Sequence, residues 1–168
     1  MNVSKNKEVF LDVLESHKGI LYKVANSYSR NEIHKKDLIQ EIIIQLWLSF
    51  DKYDDTYKLS TWIYRIALNV SISYYRKEKR RRAISQPLPD EVLHISTVEK
   101  EVNKQPEIAK LQRFIKELKE LDRAIILLSL DGYDHQEIAD IMGITVTNVS
   151  TRKSRAKEKL RRKFEKQK

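Results

Sequence analysis

The sequence contains no cysteine, which excludes disulfide bonds, thiolate zinc sites and a cysteine nucleophile. It has only three glycines and three prolines in 168 residues, and this scarcity of turn-forming residues favours helices. No apolar run approaches the ~18 residues of a membrane span. The longest are EIIIQLWLSF and AIILLSL, and no signal-peptide core follows the first lysines. We therefore expect a cytoplasmic, helix-rich protein without membrane insertion.

Positive charge is plentiful but unevenly distributed. The net charge is +9, and residues 61–90 contribute +5 and residues 121–168 contribute +4, whereas the two remaining stretches are balanced. Residues 152–168 alone hold ten basic and two acidic residues. A lysine-rich helix that is merely soluble would have interspersed signs, so the two basic clusters indicate a polyanion contacted at two places.

Apolar residues recur with the helical period along most of the chain. The pattern predicts helices at about residues 5–28 and 34–50, and a third that starts with Ser60 as its cap and passes residue 80. Pro87, Pro89 and Pro106 then mark a break, after which the helical pattern resumes. We predict an all-α fold with two small helical domains, residues 1–83 and 106–168, joined by a flexible linker at residues 84–105.

The second predicted domain contains the signals of a helix-turn-helix. Asp134 and Glu137 have the spacing of a capping box, Gly143 stands where the first helix must end, and Thr145 can cap the next helix. The inward positions of that next helix are Val149, Ala156 and Leu160.

The opposite face of the same helix is suited to reading DNA. It would enter the major groove, where asparagine and arginine contact base edges and flanking cations hold phosphates. The outward residues are Thr147, Asn148, Thr151, Arg152 and Arg155, and the flanking cations are Lys157, Lys159, Arg161 and Arg162. The alternative is a helical hairpin whose polar face is simply solvated.

The second predicted helix has two distinct faces. Leu38, Ile39, Ile42, Ile43, Leu46 and Phe50 form a core stripe, whereas Asp37, Glu41, Ile44 and Leu48 fall on the other side. Large apolar residues beside carboxylates and away from the core indicate a protein-docking surface. The alternative is that another helix covers Ile44 and Leu48.

The third predicted helix combines aromatic residues with cations. Its predicted buried face carries Ile63, Ile66, Ala67, Val70 and Tyr74, and Arg65, Asn69 and Arg76 lie opposite. The aromatic residues Trp62, Tyr64, Tyr74 and Tyr75 are followed by the basic run from Arg76 to Arg82. Aromatic rings stack on unpaired bases while cations follow the phosphates, so the pattern is suited to single-stranded DNA.

Three ordered blocks carry a family resemblance: DLIQEIIIQLWLSFDKYD, STWIYRIALNVSISYYRKEKRR and LDGYDHQEIADIMGITVTNVSTRKSRAKEKL. Together they resemble the extracytoplasmic-function (ECF) subfamily of bacterial sigma-70 RNA polymerase sigma factors. The resemblance implies that the first domain binds the clamp helices of the polymerase β′ subunit and opens the −10 element, and that the second domain reads the −35 element. Further implied partners are the polymerase β subunit, promoter DNA and an anti-sigma factor.

The resemblance also implies residue roles. The clamp-facing residues would be Asp37, Gln40, Glu41, Ile44 and Leu48. The −10 contacts would be made by Trp62, Arg65, Asn69, Arg76 and Arg80. The −35 contacts would be made by Thr147, Asn148, Ser150, Thr151, Arg152, Ser154 and Arg155. The family often has a basic residue at the position of Ser150 and a bulky aliphatic one at that of Lys153, so the bases read by this chain are expected to differ.

No catalytic set accompanies these features. The four histidines are scattered without metal-ligand spacing, and the sequence has no phosphate-binding loop. We therefore expect neither enzymatic activity nor a metal or other cofactor. Two alternatives are a stand-alone helix-turn-helix regulator that binds duplex DNA and a basic helical protein with a structural or RNA-binding role.

Overall fold

The computed structural model describes residues 3–84 and 105–167, which form seven α-helices and no strand. They are α1 (Val3–Tyr28), α2 (Glu32–Ser49), α3 (Leu59–Ile84), α4 (Pro106–Lys116), α5 (Glu120–Leu130), α6 (His135–Met142) and α7 (Val146–Lys166), with a 3₁₀ turn at Phe50–Lys52. The all-α prediction is thus confirmed. Ser60, predicted as a cap, lies one residue inside α3.

The chain divides into two compact units, Met1–Tyr74 and Tyr75–Lys168. This boundary falls within α3, whereas the predicted first domain extends to residue 83. Nearly all of the predicted linker, residues 84–105, lies outside the described residues. The domain limits therefore stay a prediction.

The core of the first unit forms where α1 packs on α2. Leu38, Ile42 and Leu46 line the inner face of α2, as the core stripe predicts, whereas the other predicted members are only half-buried: Ile39, Ile43 and Phe50. An aromatic cluster closes one end, where the Phe10 ring lies 5.0 Å from Trp47 and 5.1 Å from Phe50, in edge-on geometry. Such pairs contribute about 0.5–1.5 kcal/mol each beyond the area they bury.

The buried face of α3 differs from the predicted one. Ile63 and Ala67 are buried as predicted, but Ile66, Val70 and Tyr74 are only half-buried. Their places in the core are taken by Tyr64, Leu68, Ser71 and Ile72. Tyr64, grouped above with the aromatics available to single-stranded DNA, is 1% exposed, so that role is wrong for this side chain.

The second unit is organised around α7, which packs on α5 and α6. Val149, Ala156 and Leu160 are buried, as the helix-turn-helix pattern predicts. Arg123 on α5 is also buried, and its guanidinium donates hydrogen bonds to the carbonyls of Lys116 and Leu118. These carbonyls end α4 and the following turn, so a buried cation satisfies them where solvent does not reach.

Candidate nucleic-acid and protein interfaces

The outer face of α2 is open to solvent. Asp37, Gln40 and Glu41 are exposed, and Ile44 and Leu48 keep 50% and 64% of their surface accessible. No helix of the described residues covers Ile44 or Leu48, so the covered-face alternative is wrong there. We call Asp37, Gln40, Glu41, Ile44 and Leu48 the α2 surface.

A sixth residue extends the α2 surface. Ile33 is 71% exposed, and at 100° per residue it lies only about 20° around the helix axis from Ile44. The apolar pattern alone does not single it out, because it stands in the first turn, where Asn31 caps the helix through the His34 N–H at 2.9 Å. Ile33 therefore adds exposed apolar area to the same side of the helix as Ile44, nearer the start of α2.

A cleft of about 280 Å³ opens at the start of α3. Trp62 and Arg65, both predicted to contact the −10 strand, line it together with Tyr53 and Tyr57. The Trp62 ring lies 5.3 Å from Tyr53, and the Arg65 guanidinium lies 4.8 Å from the centre of the Tyr57 ring. The cleft therefore combines aromatic walls with a cation at its rim.

The tyrosines of this cleft come from the stretch DKYDDTYK, which the sequence indicates only as a turn-rich break. The turn is nevertheless well organised: the Tyr53 hydroxyl donates to the Tyr57 carbonyl at 2.7 Å, and Asp54 accepts from the backbone N–H of Thr56 at 3.1 Å. The sequence feature that could have indicated the cleft is the presence of two tyrosines, Tyr53 and Tyr57, shortly before Trp62.

The other predicted −10 residues do not line the cleft. Asn69 is exposed one helical turn beyond Arg65. Arg76 and Arg80 are exposed and fall in the second unit. The Arg76 Nε donates to the Glu120 carboxylate at 2.9 Å, a contact within that unit.

Helix α6 begins and ends, and helix α7 begins, at the predicted capping residues. Asp134 accepts from the Glu137 N–H and the Glu137 carboxylate accepts from the Asp134 N–H, both at 2.8 Å, which completes the capping box. Gly143 has a φ of 67°, the left-handed conformation that glycine adopts readily. Thr145 caps α7 by accepting from the Asn148 N–H at 3.1 Å. The capping box thus fixes where α6 begins, and Gly143 and Thr145 fix where α6 ends and α7 begins.

A groove of about 640 Å³ runs along the outer face of α7. We call it the α7 groove; it is lined by Lys119, Asp122, Asn148, Thr151, Arg152, Ser154, Arg155, Glu158, Lys159 and Arg162. It includes five of the seven residues predicted for the −35 element. Thr147 is exposed and Ser150 half-buried, and neither lines the groove.

Unlike Arg155, Arg152 already has hydrogen-bond partners within the described part of the protein. Its Nη1 donates to Asp122 Oδ1 and its Nε donates to Asn148 Oδ1, both at 2.9 Å. The Arg152 side chain is 32% exposed and that of Asp122 only 10%. Arg155, one turn away, is fully available on the exposed side.

The far end of the α7 groove carries an arginine–glutamate cluster. Hydrogen bonds from Arg161 and Arg162 lower the pKa of the Glu158 carboxyl to about 2. The same contact, with Glu165 on the other side, raises the pKa of Arg161. The predicted phosphate anchors Arg161 and Arg162 are thus paired along the helix. Arg162 and Lys159 both line the groove.

Comparison with known proteins bears on both units. Residues 13–81 match the family model Sigma-70 region 2, and residues 108–160 match Sigma-70, region 4. The RNA polymerase sigma factor SigZ of Bacillus subtilis is 31% identical over 131 residues, which cover 77% of this chain and 72% of SigZ. The ECF RNA polymerase sigma factor SigW of the same organism is 29% identical over 172 residues, covering 94% and 89%.

This chain belongs to the ECF subfamily of sigma-70 factors. The sigma factor directs RNA polymerase to specific promoters, and the stand-alone regulator is not favoured, because a region 2 match precedes the helix-turn-helix. Its fold is similar to that of RpoE from Bartonella quintana in complex with the anti-sigma factor NepR. That likeness has a TM-score of 0.73 at 23% identity and covers 97% of this chain and 98% of RpoE.

The helices of the sigma factor are all too short or too polar to cross a bilayer, within the residues that the structure describes.

Proposed function

We propose that the sigma factor binds its partners through three separate surfaces. The α2 surface binds the clamp helices of the polymerase β′ subunit, the cleft at Trp62 and Arg65 takes unpaired −10 bases, and the α7 groove receives the −35 duplex. The observation that carries this proposal is the exposure of Ile44 and Leu48 beside Asp37 and Glu41. Neither a plain DNA-binding protein nor an RNA-binding one needs such a mixed face.

Ile44→Asp tests the α2 surface. A carboxylate at the centre of an apolar contact would have to be desolvated against the partner, so we expect loss of holoenzyme formation in a pull-down with core polymerase. Binding of the free sigma factor to DNA should be unchanged. Leu11→Asp is the matched control, because Leu11 is a similarly exposed apolar residue on α1, 52% accessible, and should leave polymerase binding intact. Equal loss in both variants would contradict the assignment.

The −10 role rests on the chemistry of the cleft. Aromatic rings of Tyr53, Tyr57 and Trp62 offer stacking faces, and the Arg65 guanidinium can neutralise a nearby phosphate. Capturing a base there would favour the open duplex, since unstacking costs a few kcal/mol that the cleft contacts offset. Asn69, Arg76 and Arg80 would act on the flanking strand.

Trp62→Ala should slow promoter opening, measured by permanganate reactivity of −10 thymines, while closed-complex formation persists. A variant that opens promoters normally would remove Trp62 from this role.

We also propose further partners for this chain. RpoE of Bartonella quintana is held by an anti-sigma factor, so we propose a comparable inhibitor for this chain, in addition to contact with the polymerase β subunit. We also propose that the protein works in the cytoplasm, has no enzymatic activity of its own and needs no cofactor. Run-off transcription with purified core polymerase tests the whole proposal, because only a sigma factor confers a defined start site.

A further inference from the structure

The α7 groove contains a chain of three polar side chains from two helices. Asp122 lies on α5, thirty residues before Arg152 in sequence, and it is among the few buried charged residues of the described structure. Arg152 joins it to Asn148, one turn earlier on α7. Each link is 2.9 Å long, so the three groups form a continuous hydrogen-bonded relay from the interior to the DNA-facing surface.

The relay determines which way the Asn148 amide faces. A guanidinium has only N–H donors, so the amide atom that meets Arg152 Nε must be the oxygen. The Asn148 backbone is held separately, because its N–H donates to the Thr145 hydroxyl at the helix cap. With Oδ1 turned towards Arg152, the other end of the exposed amide is its NH₂ group, which only donates.

We infer that Asp122 and Arg152 are positioning residues that make Asn148 a donor-only reader of the −35 element. The usual asparagine contact with adenine needs Oδ1 at the base edge to accept from N6, whereas here one lone pair of that oxygen, and with it the orientation of the amide, is committed to Arg152. An amide that presents its NH₂ group suits guanine, which accepts through N7 and O6, or thymine, which accepts through O4; adenine offers N7 beside the N6 donor, which would oppose a second N–H. The inference rests on the proposed role of the α7 groove and adds Asp122 to it.

Burial explains why Arg152 serves position better than readout. Its guanidinium donates to both Asp122 and Asn148, and Asp122 would be left as a buried unpaired carboxylate if Arg152 turned to a base. Arg155 is exposed and makes no comparable contact with the part of the chain that the structure describes.

Selection of bound duplexes from a pool with a randomised −35 element, using reconstituted holoenzyme, tests the inference. Asn148→Ala should flatten the preference at one base pair by about fivefold or more, and the preferred base there should be guanine or thymine. Asp122→Asn should flatten the same base pair, and the double variant should lose no more than Asn148→Ala alone. Asp131→Asn, which removes one exposed charge at the end of α5, should leave every preference unchanged.

A second variant covers the case in which Asp122→Asn fails to fold. Arg152→Lys keeps the charge but replaces a rigid planar fork by a compact ammonium, which does not reproduce the two fixed donor directions towards Asp122 and Asn148. It should reproduce the flattened base pair with the circular dichroism spectrum of the parent. The inference is overturned if adenine is selected at the Asn148-dependent position, or if Arg152→Lys alters a different base pair from Asn148→Ala. Loss of all −35 preference in the parent holoenzyme would instead refute the proposed role of the groove.

Discussion

At the scale of single residues, the cations of α7 differ in what they can still contact. Arg155 and Lys159 line the groove, whereas Arg152 is held by Asp122 and Asn148. The family resemblance treats Arg152 and Arg155 alike. Their difference depends on a contact across thirty residues of sequence, which no local pattern reveals.

Arg155 and Lys159 should respond differently to alanine. Arg155→Ala is expected to weaken binding by ~1–3 kcal/mol at particular −35 bases, because an arginine fork reads base edges. Lys159→Ala should weaken all sequences to a similar extent and reduce the salt dependence of binding. Competition binding with a panel of single-base −35 variants measures both effects. Uniform losses in both variants would assign Arg155 to the phosphates.

Glu158 should remain ionised far into the acid range. Its folded-state pKa of about 2 lies below the ordinary glutamate value of 4.5, so the stabilisation from its arginine contacts is full above about pH 4.5 and declines as the pH falls towards 2. A carboxyl-carbon NMR titration measures the pKa directly. Replacing Arg161 and Arg162 by glutamine should move the pKa back towards 4.5; an unchanged value would mean that neither arginine lowers it.

At the scale of elements, the predictable features are those fixed within a few residues. The capping box, the glycine that ends α6 and the inward positions of α7 all depend on local spacing, and the structure bears them out. The buried face of α3 depends on tertiary packing instead. Apolar residues such as Leu68 and Val70 stand on several sides of that helix, so its sequence alone does not decide which side faces the core of the first unit.

The candidate sites follow the same division. The exposed α2 surface was predictable, because Ile44 and Leu48 stand opposite a complete core stripe. The cleft at Trp62 and the Asp122 contact were not, since each joins residues of separate segments. Helical periodicity carries no information about such pairings.

Two glycine substitutions should have opposite effects on stability. Gly143→Ala forces a β-carbon into the left-handed conformation and should destabilise the second unit by ~1–2 kcal/mol, although the new methyl group would meet nothing within 4 Å. Gly19→Ala within α1 has equally free space and no positive φ, so it should stabilise the first unit by ~0.5–1 kcal/mol. Thermal unfolding followed by circular dichroism distinguishes them. A stabilising Gly143→Ala would contradict the role of this cap.

At the scale of the whole molecule, the proposed function assigns chemically different surfaces to different partners. The −35 duplex would meet cations in the α7 groove, and the polymerase would meet the α2 surface, where Ile44 and Leu48 are exposed. The net charge of +9 therefore acts mainly on nucleic acid.

Salt should consequently separate the two activities. If about four groove cations each neutralise one phosphate, DNA affinity should fall with a log–log slope of roughly −4, or about 10²-fold between ~50 and ~200 mM salt. Polymerase binding should change much less over that range, because burial of apolar area is weakly screened. Fluorescence anisotropy with labelled DNA and with core polymerase measures the two responses. Equal salt slopes would show that the α2 surface also binds through its charges.

The positions of the tryptophans allow binding to the first unit to be followed by fluorescence. The chain has two tryptophans, Trp47 and Trp62, and both belong to the first unit, one packed on Phe10 and the other at the mouth of the cleft. Intrinsic emission excited at the indole band is thus a label-free reporter of that unit only. Binding of the polymerase or of a melted strand should shift the tryptophan emission maximum, whereas binding along α7 should leave the emission unchanged.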